Sequence, residues 1–281
     1  MRARSAARAA TLGAASLFLL TGCSALASFP SASPTPSGSA SPSAGPIGPA
    51  FGDVAPRESV TDELGTYLHV TISPDAGVYR EVDPSTVDDS VEGSSWDEDA
   101  LLEAQRFVVT FVAEQTIDSS ALDRDRPGWD EWVASTAPRY FGDDDDDLLK
   151  LDGADRPTPI YNDPDDFTPQ LVRDGMARLD DATISVESLE NEPREGGEWL
   201  TISGTADVAY RLSDDAAIAA LEQQGFDALT IEGYAELSDG EDGHYLTQLT
   251  WTYSVERVGD GWQIRAYDLA WDSVIEGVSQ A

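Results

Sequence analysis

Residues 252–271 read TYSVERVGDGWQIRAYDLAW, and this stretch decides the architecture. Apolar and polar residues alternate on both sides of GDG (259–261), which is the period of a strand, and the glycines mark a tight hairpin turn. The same period extends back through HYLTQLTWTYSVERV (244–258) and recurs in LTIEGYAEL (229–237) and LTISGTADVAYRL (200–212). In the last of these Leu200, Ile202, Ala206, Val208, Tyr210 and Leu212 fall on one face. DATISVESL (181–189) is its expected partner through the turn-forming ENEPREGGE, and DDAAIAALEQQGF (214–226) interrupts the sheet as a short helix.

Upstream of Leu179 the period changes. SSWDEDALLEAQRFVVTFVAEQ (94–115) carries Leu101, Ala104, Phe107, Val108, Phe111 and Val112 at helical intervals, and Ser95 and Glu98 have capping-box spacing. A second helix is expected in GWDEWVAST (128–136), with Trp129, Trp132 and Val133 on one stripe. A third is expected from Pro164 to about Met176, limited at its start by Pro169. TYLHVTI (66–72) and VYREV (78–82), joined by SPDAG, read as an extra N-terminal hairpin. Helices first and antiparallel strands afterwards is an α+β order, with a curved sheet wrapped on two or three helices.

The helix with Phe107 and Phe111, the tryptophan-bearing second helix and the closing YxVxRxxxGW hairpin together resemble the nuclear-transport-factor-two-like superfamily, which includes ketosteroid isomerase and scytalone dehydratase. Many actinobacterial lipoproteins carry such domains. The resemblance covers residues 95–276 and implies a cone-shaped, cystatin-like sheet with a cavity for apolar ligands. The hairpin at 66–82 and the helix near 214–224 depart from the minimal pattern.

The N-terminus reads as an address. Arg2, Arg4 and Arg8 precede an apolar stretch from Ala9 to Leu20, too short to span a bilayer as a helix but of signal-peptide length. Leu20, Thr21, Gly22 and Cys23 resemble the lipobox of bacterial lipoproteins, which implies lipidation (palmitate and diacylglyceryl) on Cys23, the single cysteine of 281 residues. The expected organisation is a signal peptide at 1–22 and a lipidated tether rich in Ser, Pro, Ala and Gly at 23–50. A hairpin extension at 51–94 and the α+β domain at 95–281 follow.

Composition excludes more than it assigns. With 17 Lys plus Arg against 53 Asp plus Glu the formal net charge is −36, a field that repels nucleic-acid phosphates and anionic lipid, so no nucleic-acid partner is expected. One cysteine permits no internal disulfide, and His69 and His244 are too far apart in sequence to suggest a zinc cluster. Asp143–Asp147 lack the spaced loop and closing glutamate of a calcium site. They read as a solvated run, with weak calcium binding involving Asp163, Asp165, Asp166, Asp239, Glu241 and Asp242 as the alternative. No metal and no cofactor is expected.

The candidate ligand-binding set is aromatic: Trp132, Tyr210, Trp251 and Tyr253, with Trp129 nearby. These rings either line a cavity or form the core that a curved sheet requires. The leading expectation is a non-catalytic lipoprotein domain that binds a small apolar ligand or a basic envelope protein. The alternative is an isomerase or dehydratase with a carboxylate in the cone, for which Asp207, Asp268 and Tyr253 are the residues to inspect. Asp207 alternates away from the apolar face, while Asp268 shares parity with Trp262 and Ile264 and points inward unless a bulge intervenes.

Overall fold

Alternation at period two builds the larger of two sheets. Strands β4 (Leu179–Arg194), β5 (Gly197–Leu212), β6 (Gly243–Val258) and β7 (Gly261–Ile275) form an antiparallel meander in the order β4-β5-β6-β7. At the β6–β7 turn Val258 pairs with Gly261 and Gly259 takes φ +61°, a backbone region that glycine enters without steric cost. Leu200, Ile202, Ala206, Val208 and Tyr210 all lie buried on the face that the sequence marks, beside Leu249, Trp251, Tyr253 and Val255 of β6.

The computed structural model describes residues 45–63, 65–120, 128–141, 174–194, 197–212, 218, 222 and 243–275. All of them belong to one compact unit, Gly38–Ala281. The class is α+β with mostly antiparallel strands, and among the described residues neither sheet closes on itself. The predicted strand at 229–237 lies outside the described residues, and of the helix at 214–226 only 218 and 222 are described, both helical.

The N-terminal hairpin differs from the expected one. Strand β2 (Gly65–Ile72) pairs with β1 (Val54–Asp62) upstream of it, from Val54 with Ile72 to Asp62 with Gly65. VYREV is not a strand: α1 (Gly77–Arg80) is a single helical turn there. Its carbonyls are taken by side chains of the next helix, Gln105 Nε2 donating to Val78 O (2.6 Å) and Glu81 O (2.9 Å), and Arg106 Nε to Tyr79 O (2.7 Å). With those acceptors satisfied locally, a ladder has nothing left to offer the segment.

Part of the expected third helix is also a strand. β3 (Asp174–Ala177) pairs in parallel with β2, giving a small sheet of order β1-β2-β3. One residue, Arg178, separates β3 from β4, so a single run of chain crosses from the small sheet to the large one.

Helix α2 (Glu98–Phe111) starts two residues later than capping-box spacing suggests. Asp97 is the N-cap, its carboxylate accepting from Ala100 N at 2.8 Å. Ser95 instead donates its hydroxyl, and its N–H at 3.0 Å, to the Glu198 carboxylate of β5. Asp97→Ala should therefore destabilise the protein by about 1 kcal/mol in a urea titration, whereas Ser95→Ala leaves the helix cap intact. Ala100, Leu101, Ala104, Val108 and Phe111 are buried on the large sheet's inner face, and α3 (Gly128–Ser135) and α4 (Pro138–Phe141) extend that layer.

Past Phe111 the helix widens into a π-helical turn, Val112–Ile117, in which every residue is buried. A π-turn inserts an extra residue into the helical register, and such turns recur at functional sites.

The edges of the large sheet are treated differently. β4 is covered by chain preceding α2: Asp53 N donates to Ala182 O (2.7 Å), Asp53 Oδ2 accepts from Ile184 N (2.9 Å), and Asp88 N donates to Leu189 O (2.9 Å). Asp53 O also accepts from Ser73 N at 2.7 Å, so this one residue clips the end of β2 to β4. No described strand pairs with the far side of β7.

Candidate functional site

Three of the four aromatic candidates converge on the π-turn. Trp132 Nε1 donates to Gln115 Oε1 (2.8 Å), Tyr210 OH donates to Ile117 O (2.9 Å), and Tyr253 OH shares a 2.7 Å hydrogen bond with Thr116 Oγ1. Trp251 stacks obliquely on Tyr253 with centroids 6.1 Å apart, and Phe111 meets Tyr253 edge-on at 5.3 Å. None of the four is more than 1% exposed. Burial drives the Tyr210 and Tyr253 hydroxyls well above the usual phenol range, so both stay neutral hydrogen-bonding groups. Trp251 Nε1 is buried and donates to no described group. The set is interlocked, and the polar tips of Trp132, Tyr210 and Tyr253 are spent on the protein's own backbone and side chains. The side chain of Trp129 lies outside the described residues.

The carboxylates beside these rings are not those the strand parity suggests. Asp207 is exposed on the outer face as expected, where Gln248 Nε2 donates to it at 3.1 Å. Asp268 is also exposed, because a bulge between Ser254 and Val255 lets β7 advance one residue: Ile264 pairs with Val255, but Ala266 pairs with Ser254. Beyond it the inward residues are Tyr267, Leu269 and Trp271, opposite Tyr253, Trp251 and Leu249.

Facing the rings instead are Glu114 and Asp118, which the sequence reading missed. Stepping three, four and seven residues from Phe111 lands on Glu114, Gln115 and Asp118, so the apolar stripe of α2 continues in polar residues, and that discontinuity was the available signal. Glu114 Oε2 accepts from Arg57 Nη1 (2.7 Å) and Oε1 from Thr71 Oγ1 (2.5 Å). Asp118 Oδ2 lies 3.1 Å from His69 Nδ1 and accepts from Val70 N (2.8 Å), while its Oδ1 lies 3.6 Å from Arg178 Nε. Burial pushes the Asp118 carboxyl up, but His69, Arg178 and the Val70 N–H outweigh it and hold the group at about 2. Glu114 and Asp118 therefore act as a polar layer between the small sheet and the rings, already engaged by cations and donors.

A groove of about 470 Å³ lies on the outer face of the large sheet, away from the rings. Its two cross-strand rungs are Thr183-Asp207-Gln248-Asp272 and Asp181-Ala209-Leu246-Val274. Leu246 and Val274 are 37% and 40% exposed, so the groove joins an aliphatic strip to three carboxylates, none ion-paired with a described residue.

Among the described residues no three His, Cys, Asp or Glu side chains are placed to hold a metal ion. Cys23 and the acidic positions 143–147, 163, 165, 166, 239, 241 and 242 lie outside the described residues. Comparisons with protein families, with curated proteins and with solved structures find no match for this chain.

Proposed function

We propose that the chain is a lipoprotein held at the outer face of a bacterial cytoplasmic membrane by lipid on Cys23, where its α+β domain binds a basic envelope protein without catalysis. The observation that carries the anchoring is the succession of Arg2, Arg4 and Arg8, the apolar run to Leu20, and Leu20-Thr21-Gly22-Cys23, with the thiol found nowhere else in the sequence. Two acyl chains make a stable anchor where one is marginal, and the uncharged tether behind Cys23 spans on the order of 30 Å. A long meander folded over α2, with α3 and α4 beside it, supports a cone-shaped domain of the nuclear-transport-factor-two-like kind.

Binding without catalysis is supported by the state of the interior. Tyr210 and Tyr253 are committed to Ile117 and Thr116, Glu114 to Arg57 and Thr71, and Asp207 and Asp268 face away. A protein partner is favoured over an apolar small molecule because the rings are buried and packed on one another, with only Trp251 Nε1 unengaged among their polar tips, whereas the exposed surface carries the charge. Cys23→Ser is the test. The substituted chain should leave the membrane fraction, or retain an uncut signal, and move from the detergent phase to the aqueous phase. Unchanged detergent partitioning with a processed N-terminus overturns the anchoring.

A further inference from the structure

The geometry points to the edge of β7, Asp268–Val274, as an acceptor for an extended basic segment of a partner protein, which would add as a fifth strand beside the four of the large sheet. This deepens the binding reading above by naming the surface and the chemistry of the partner.

An edge strand presents a row of unpaired N–H and C=O groups, and folded proteins blunt such edges with charged side chains, proline, bulges or covering chain. The chain does this at β4, where residues 52–53 and 87–88 form bridges to the strand. At β7 the one bulge sits near Arg265, and Asp268–Val274 contains no proline and only the charges of Asp268 and Asp272, which oppose a second copy but not a basic strand. Its outer side chains Asp268, Ala270, Asp272 and Val274 are exposed, and Leu269 and Trp271 on the inner side are half-buried. Neither Asp268 nor Asp272 has a side-chain hydrogen bond or ion pair with a described residue.

Charge selects the occupant. Two copies paired antiparallel about Ala270 would set Asp268 of each against Asp272 of the other, and like charges directly opposite are destabilising. A basic strand reverses that sign. Asp268 and Asp272 are four residues apart, about 14 Å along a strand, so the partner needs Lys or Arg at matching four-residue spacing. Apolar residues between them would lie beside Leu269 and Trp271. Their aliphatic stems find the Leu246 and Val274 strip, with Asp207 beyond it in the groove. Backbone pairing supplies affinity and the alternate side chains supply specificity, as in other strand-addition complexes.

The probe is the peptide TVKVTVKVT, titrated by calorimetry into the full chain carrying Cys23→Ser at low ionic strength. Saturable binding is expected. Asp268→Asn with Asp272→Asn should weaken it about tenfold, the range for losing two exposed ion pairs. Asp89→Asn with Glu92→Gln, beside the covered edge, should leave it unchanged. The same peptide N-methylated on alternate residues keeps its charge but loses the donors that pair with an edge, and it should not bind. Equal binding of the N-methylated peptide, insensitivity to the paired asparagines, or no binding of the parent peptide each overturns the assignment. Because the readout is in solution, it is independent of whether Cys23 anchors the chain.

Discussion

Replacing Asp118 with alanine is expected to lower the free energy of unfolding by about 3–5 kcal/mol, measured by urea titration at neutral pH. The carboxylate is fully buried beside His69 and Arg178, themselves 1% and 0% exposed, and removing it takes away the charge 3.6 Å from Arg178 Nε and the oxygen that engages His69 Nδ1 and the Val70 N–H. Asp118→Asn retains an acceptor for the Val70 N–H and should cost less. The pH dependence has a definite sign. The folded carboxyl titrates at about 2 against 3.8 for an unperturbed aspartate, so its contribution is complete above the unfolded value and is lost as pH falls through the folded one. That contribution is about 2 kcal/mol, read as the extra acid sensitivity of the wild-type chain between about pH 4 and 2 relative to Asp118→Asn.

The second large effect is at Gly204. A Cβ built there would lie 2.0 Å from the Ser185 carbonyl oxygen and 2.5 Å from Cζ2 of Trp251. Gly204→Ala must therefore push β4 away from β5 as well as displace the indole, and about 3 kcal/mol of stability should be lost. Shrinking the ring does not relieve it. Trp251→Phe combined with Gly204→Ala should remain as unstable as the single Gly204→Ala chain or fall lower, because the nearest obstruction is backbone. Thermal unfolding followed by near-ultraviolet circular dichroism would read both the stability and the environment of Trp251.

Elements with one strong period were legible in the sequence, and elements defined by a remote partner were not. The alternation in 200–212 and 244–271 placed β5, β6 and β7, and the Phe107–Phe111–Val112 stripe placed α2. β1 escaped because VAPRESVTD holds a proline and three charges and has no alternation; pairing with β2 alone makes it a strand. VYREV has strand composition, yet the amide of Gln105 and the guanidinium of Arg106 fold its carbonyls onto α2. Parity breaks at bulges, which leave no mark in the sequence: one beside Val255, the exception allowed for Asp268, turns that residue outward, and another between Val186 and Ser188 shifts the buried parity of β4 from Ala182 and Ile184 to Leu189. The four aromatic residues lie buried together, but the π-turn that receives the tyrosine hydroxyls and the Trp132 indole was not legible, because Glu114, Gln115 and Asp118 are polar and break the apolar stripe of α2.

Asp53 would have a mechanical meaning under the proposed tethering of the chain by its N-terminus. Tension carried along the residues before Gly52 would meet the Ile47 N–Pro56 O and Phe51 N–Val54 O bonds to β1, and then a side chain and backbone bonded at once to Ala182, Ile184 and Ser73. At Asp53 the load would thus be divided between the long meander and the β1–β2 hairpin. Because β3 runs into β4 with only Arg178 between them, the two sheets share it again at the far side. Under the proposed anchoring, a pull on the N-terminal chain would meet a doubly riveted joint, and neither sheet would be drawn off the other without first breaking it.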